Sequence, residues 1–234
     1  MIEWIHLTSA EIPHLDKRLP VIIPLGLVEA HGPHLPLSVD IDTAAFFSRQ
    51  VAENTGAILA PQLVYGFADE MREYPGTIGL RAETLTQVIT DLSCMFCQAG
   101  FTRQIFLSGH GANQAPTELA FHRVWETHPG LRAVYWNYWT AAGMTHIHHA
   151  DKGETEIAMS VGTPVHMDRA RDFQVVKPWY RIRSRHALNP DSGGINGCPT
   201  QADPQAGIAA RDAIIDTLTR KVAAIIAHER QSAS

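Results

Sequence analysis

Short apolar runs alternate along this chain with longer stretches in which apolar residues return every three or four positions. "VIIPLG" (21–26), "AILAPQL" (57–63), "RQIFLSG" (103–109) and "LRAVYWNYW" (131–139) have the length and content of buried strands. Between the first two, "DTAAFFSRQVAENTG" predicts a helix that starts at Asp42 or Thr43 and closes at Gly56. Helical periodicity also runs through 82–100, where Gly100 stops it, through 113–130, through 153–162, and over a long final stretch, 203–230. Strand and helix in alternation predict an α/β fold, a mostly parallel β-sheet sandwiched by helices, in a single domain over 1–234. No repeat, low-complexity tract or linker breaks the pattern.

Composition narrows the function classes. With 234 residues, 45% apolar and 18% charged, the chain can bury a substantial core. A formal net charge of −5 speaks against a general nucleic-acid binder, which needs a basic face to displace counterions. No stretch approaches the roughly 20 apolar residues of a membrane span, and the N-terminus lacks a basic segment followed by an apolar block. The reading is therefore a cytoplasmic protein with no membrane and no nucleic-acid partner. The three cysteines are too few, and odd in number, for a disulfide framework. Cys94 and Cys97 form a CxxC inside a helical pattern, which predicts core packing beside Val88, Leu92 and Phe96; no second pair completes a zinc site.

Candidate chemistry is concentrated in "LGLVEAHGPHLPLSVD" (25–40), directly after the first strand. Glu29 and His31 lie two apart in an extended segment and so can face one site. Pro33 and Pro36 stiffen the loop that carries His34, and Asp40 follows at the mouth of the next helix. In parallel sheets, ligands bind beyond the carboxyl ends of the strands. His110, in "GHGAN" after the third strand, sits at a second such exit, so the two loops can meet at one rim. A carboxylate can bridge two cations, and two metals about 3.5–4 Å apart can activate one hydroxide and polarise a carbonyl. Carboxylate and imidazole without thiolate suit Zn, Mn or Fe. A third stretch, "HIHHADKGETEIAMS" (146–160), adds His149, Glu154 and Glu156. The two glutamates are about 200° apart on a helix, so only one can face the site. His146 and His148 are read as a solvated run.

These residues resemble a known pattern. "PLGLVEAHGPHLPLSVDIDTA" is similar to the signature of the creatininase family of amidohydrolases, and "SGHGAN", "HADKGET", "EYPGTIGL" and "INGCPTQADPQAG" match further family segments in order over nearly the whole chain. The resemblance implies a homo-oligomer, a homohexamer, with two divalent metal ions per subunit. Glu29, Asp40 and His110 would hold one metal; His31, Asp40 and Glu154 the other, with Asp40 as bridge. His149 would transfer protons, and Trp139 would close over a flat substrate or serve as a strand-end core aromatic. His34 and Asn113 would support the ligands. The implied reaction is attack by a metal-bridged hydroxide on a cyclic amide or related C–N bond of a small-molecule amide, with Glu154 and His149 as the catalytic pair.

Three positions depart from the pattern: Ala112 where the enzyme acting on creatinine has Glu, Lys152 where an acidic residue is frequent, and Glu70 or Met71 where a His is expected. All three are predicted to lie in or near the pocket, so the resemblance speaks for the machinery more than for the substrate. Other branches of the family act on formylamino-pyrimidines or on a peptide. Arg181, Arg183 and Arg185 could grip a phosphate or carboxylate or form a solvated strand edge, and Trp179 and Tyr180 could serve an interface. Two readings of another kind are weaker. A flavodoxin-like binding module would want a Gly-rich phosphate loop where Glu29 stands. A structural zinc site would be closed by Cys and His.

Overall fold

The computed structural model describes residues 1–68, 70–145, 147–174 and 190–231. His146, Trp179, Tyr180, Arg181, Arg183 and Arg185 lie outside the described residues. Five parallel strands form one sheet: β1 (Ile2–Glu3), β2 (Val21–Leu25), β3 (Ile58–Leu59), β4 (Arg103–Ser108) and β5 (Arg132–Asn137), in the order β1-β3-β2-β4-β5. Among the described residues the helices are α1 (Val39–Thr55), α2 (Ala82–Gln98), α3 (Gln114–Trp125), α4 (Tyr138–Ala141), α5 (Lys152–Ser160) and α6 (Pro204–Gln231). None is long and apolar enough to cross a membrane.

The period-2 alternation of β2 and β4 sorts the core. Ile22, Ile105 and Leu107 face one layer, built from Phe47 and Val51 of α1, Ile157 of α5, and Ile214, Leu218 and Val222 of α6. Val21, Ile23, Leu25 and Phe106 face the other, built from Leu85 and Ile89 of α2 and Phe121 and Val124 of α3. The result is three layers, helices on both faces of a parallel sheet, as the alternation predicts. Pro24 sits in a central strand, where a missing N–H is usually costly. Its carbonyl accepts from Leu63 N–H, on the edge that β3 has already left by ending at Leu59, so no regular ladder bond is lost there.

Several boundaries differ from the expectation. Helix α1 starts at Val39, not at Asp42 or Thr43, so Asp40 is inside its first turn. Both Asp40 and Asp42 lie where the helix dipole favours carboxylates, which let Asp42 pass for a cap. The second strand shrinks from 57–63 to two residues, and the two-residue β1, absent from the sequence reading, pairs on its outer edge. Strand β5 ends at Asn137, leaving Trp139 on the first turn of α4. The stripe of α2 that enters the core is Leu85, Ile89, Ser93 and Cys97, with Cys94 and Phe96 at its margin; Val88 and Leu92 flank it instead of forming it.

The chain leaves β2 for β3 on one side and returns through α2 to place β4 on the other. The carboxyl ends of β2 and β4 therefore diverge at a switch point, where a crevice opens. The candidate residues are found there.

Candidate metal centre

Glu29 and His31 follow β2, Asp40 opens α1, His110 follows β4, and His149 and Glu154 flank the start of α5. All but His149 are buried, Glu29 and His31 completely. His110 Nδ1 lies 3.1 Å from Glu29 Oε2 and 3.3 Å from Asp40 Oδ2. His31 Nε2 lies 3.4 Å from Asp40 Oδ1 and 3.5 Å from Glu154 Oε2. Two triads, Glu29–Asp40–His110 and His31–Asp40–Glu154, thus share Asp40 through different oxygens, each with spacing suited to holding an ion. Glu29, His31 and His149 form a third such group.

The surroundings fix how these groups present themselves. His31 Nδ1–H donates to the Glu29 carbonyl at 3.0 Å, which in the neutral ring leaves Nε2 as a bare lone pair aimed at Asp40 and Glu154. His149 Nε2–H donates to the Ala30 carbonyl at 2.9 Å, leaving Nδ1 open, 3.7 Å from Glu29 Oε2. Ala150, at φ 49°, holds a left-handed turn between His149 and the helix, and its N–H donates to Glu154 Oε2. Asp151 caps α5 by accepting Glu154 N–H. Gly109 lets α1 approach β4: a Cβ there would overlap the Asp40 carbonyl oxygen.

Residues behind the cluster also fall into place. His34 Nε2–H donates to Thr155 Oγ1 at 3.0 Å, next to Glu154. Burial and the charge of His31 push its pKa down to about 4, so it stays neutral at physiological pH. Asn113 works through the loops around the cluster. Its Oδ1 accepts Phe67 N–H and its Nδ2 donates to the Gly26 carbonyl and Ser108 Oγ, tying together the loops at the ends of β2 and β4. Trp139 lines the cavity and also packs on the core. Glu156 turns away from the cluster and accepts Asp203 N–H, as the 200° separation predicts. Sequence reasoning missed Ser108 and Tyr135, which grip the His110 carbonyl, and the capping Asp151. The last had a signal: an acidic cap followed three residues on by Glu, the capping-box spacing.

A cation fits these donors. Glu29 Oε1 and Oε2, His31 Nε2 and Asp40 Oδ2 are buried without a hydrogen-bond partner. Buried polar atoms normally have partners, and so many orphans in one cluster call for an ion. Protons show the same need. Burial pulls the His31 and His110 imidazoles down, but the carboxylates of Glu154 and Asp40 around the first, and of Glu29 and Asp40 around the second, hold both well above the usual histidine range. Burial raises the Asp40 carboxyl, yet the same imidazoles bring it below its ordinary range. Metal uptake requires unprotonated nitrogen, so binding at pH 7 is expected to expel protons and to strengthen as pH rises. Calorimetry of zinc addition to metal-free protein in two buffers of different ionisation enthalpy measures this; identical heats in both would contradict it.

The cluster forms the floor of a cavity of about 240 Å³. Ala112 and Met71, two of the positions that depart from the resemblance, line it; Lys152 does not, and instead pairs at 3.7 Å with Glu156. No lysine or arginine lines it among the described residues.

The creatininase family profile, described as creatinine amidohydrolase, matches residues 5–222. A mycofactocin precursor peptide peptidase of Mycobacterium tuberculosis (strain ATCC 25618 / H37Rv) is 29% identical over 92% of this chain and 88% of its own. A creatinine amidohydrolase of Pseudomonas putida is 31% identical over 40% of this chain and 38% of its own. Among solved structures, a creatinine amidohydrolase (creatininase) crystal structure superposes with a TM-score of 0.83 at 19% identity, covering 94% of this chain and 96% of the other. A mutant creatininase of Zn-Zn type gives 0.85 at 19% identity, with the same coverage.

Proposed function

The chain belongs to the creatininase family of hydrolases, and from that premise we propose that it is a two-metal amidohydrolase cutting an amide C–N bond at the cluster around Asp40. The observation that carries the proposal is the pair of triads sharing that aspartate on the floor of a small cavity. Glu29, Asp40 and His110 would hold one cation, and His31, Asp40 and Glu154 the other; zinc suits these ligands, as do manganese and iron. Bound there, the cations supply an acidified water and a polarised carbonyl.

The protein's own groups supply the rest. His149, anchored through Nε2 to Ala30, keeps Nδ1 free to hold a proton and pass it to the departing nitrogen. The Ala30 carbonyl fixes the tautomer, and the Ala150 turn fixes the ring's direction. Trp139 and Met71 give the cavity apolar wall against which a flat amide can lie. Overall, water adds its hydroxyl to the carbonyl carbon and a proton to the nitrogen as the C–N bond breaks.

The cavity volume supports a small amide such as a cyclic one. The match over nearly full length to a peptide-processing enzyme supports a second reading, in which the amide is a peptide bond. The absence of a cationic wall among the described residues gives no support to a phosphorylated formylamino-pyrimidine.

The test is metal removal. Chelated protein should lose all turnover of creatinine, other cyclic amides and short peptides, and regain turnover of at least one with zinc or manganese. His149→Gln should retain metal while kcat falls by about 10²–10⁴-fold. Protein that purifies without metal and gains no activity from it would refute the reading.

A further inference from the structure

The two histidines of the paired triads are held in different ways. His31 is fixed through its ring: Nδ1–H donates to the Glu29 carbonyl, so the nitrogen turned away from Asp40 and Glu154 has an acceptor of its own. The corresponding atom of His110, Nε2, is buried with no hydrogen-bond partner among the described residues. A metal-holding histidine almost always has such a partner, because it sets the tautomer and the direction of the ring. For His110 the restraint has to come from the main chain that carries it.

That main chain is held at both of its polar atoms. The His110 carbonyl accepts two hydroxyl protons, from Tyr135 Oη at 2.7 Å and from Ser108 Oγ at 2.9 Å, which occupies both of its lone pairs. The His110 N–H donates to Ser108 Oγ at 3.0 Å. Ser108 is only two residues away and belongs to the same turn. Tyr135 is on β5, which is locked to β4 by the pairings Phe106↔Tyr135 and Ser108↔Asn137. Asn137 Nδ2 donates to Tyr135 Oη at 3.1 Å, so the phenol oxygen is steadied from its own strand while its proton goes to His110. Of the two hydroxyls, Tyr135's ties the His110 turn to a second strand.

We propose that Tyr135 is a positioning residue for the cation that Glu29, Asp40 and His110 would hold. Acting through the carbonyl, it sets where His110 Nδ1 stands, 3.1 Å from Glu29 Oε2 and 3.3 Å from Asp40 Oδ2. The proposal rests on the two-metal reading and deepens it, because it singles out one triad. His31 and Glu154 take their orientation from the Glu29 carbonyl and the Ala150 N–H, neither of which involves β5.

Zinc binding tests it. Metal-free parent and Tyr135→Phe, which keeps the ring and loses only the hydroxyl, are titrated with zinc against a chromophoric chelator. One of the two dissociation constants should rise by about 10–100-fold. The other should stay within about twofold, as should zinc affinity when Tyr135→Phe is added to Glu29→Gln, in which the His31 triad alone is complete. Circular dichroism checks folding; should Tyr135→Phe not fold, Asn137→Ala, which removes the donor that steadies the phenol, is read in the same way. Two unchanged constants, two constants weakened together, or a loss of about tenfold in the Glu29→Gln background overturns the positioning role and leaves the two-metal reading in place. A parent that takes up no zinc removes that reading and the inference with it.

Discussion

Asp40→Ala is expected to empty the centre and abolish turnover. No other side chain in the cluster belongs to both triads with a separate oxygen facing each, Oδ1 toward His31 and Oδ2 toward His110. Removing it leaves Glu29 and His110 on one side and His31 and Glu154 on the other, two ligands apiece. Loss of a residue that merely supports a ligand costs about 10–100-fold in metal affinity or activity, and the shared ligand should cost more. Elemental analysis should find less than one metal per chain where the proposed centre of the parent would hold two, with activity down by about 10³-fold or more. Asp40→Asn separates charge from shape: it should keep the native circular dichroism spectrum and still fail to load. An Asp40→Ala protein with two metals and full activity would eliminate the bridging role.

Gly109→Ala tests the same site through the backbone. The new methyl would collide with the Asp40 carbonyl, and a main-chain obstacle cannot rotate aside as a side chain can. Helix α1 must then retreat from β4, taking Asp40 away from His110. Overpacking costs about 1–3 kcal/mol, and the rigid partner places this case at the upper end, about 3 kcal/mol. At 234 residues that lowers the melting midpoint by about 6–12 °C. Gly111→Ala is the control, because its added carbon would meet only the Trp139 ring, at 3.9 Å. If Gly109→Ala melts and loads metal like the parent, the close approach has no bearing on the site.

What the sequence disclosed follows from range. Apolar period and strand exits are local, so the sandwiched sheet was readable and both His31 and His110 could be placed on one rim. The start of α1 and the core face of α2 were harder. Asp42 imitates a cap because caps and first-turn carboxylates share one residue type, and Val88 and Leu92 are apolar enough to imitate the core stripe that Leu85, Ile89 and Cys97 form. The length of β3 was illegible, since apolar content does not tell how far a neighbour continues to pair. Tyr135, which donates to the His110 carbonyl, is ordinary strand sequence until β5 is laid beside β4.

The two glutamates of α5 have a consequence for how the protein comes into being. Glu154 faces the cluster while Glu156 takes the amide of Asp203, just before α6, and the backbones of Glu156 and Gly207 touch too closely for any side chain between them. Because α6 follows every ligand in the chain, a ribosome presents Glu29, His31 and Asp40 long before the helix that seats Glu154 has emerged. Until α6 is in place, Ile157 and the sheet face that Ile214, Leu218 and Val222 cover lack their packing partner. The seat of Glu154 therefore depends on a helix that follows all the candidate metal-holding residues in the chain.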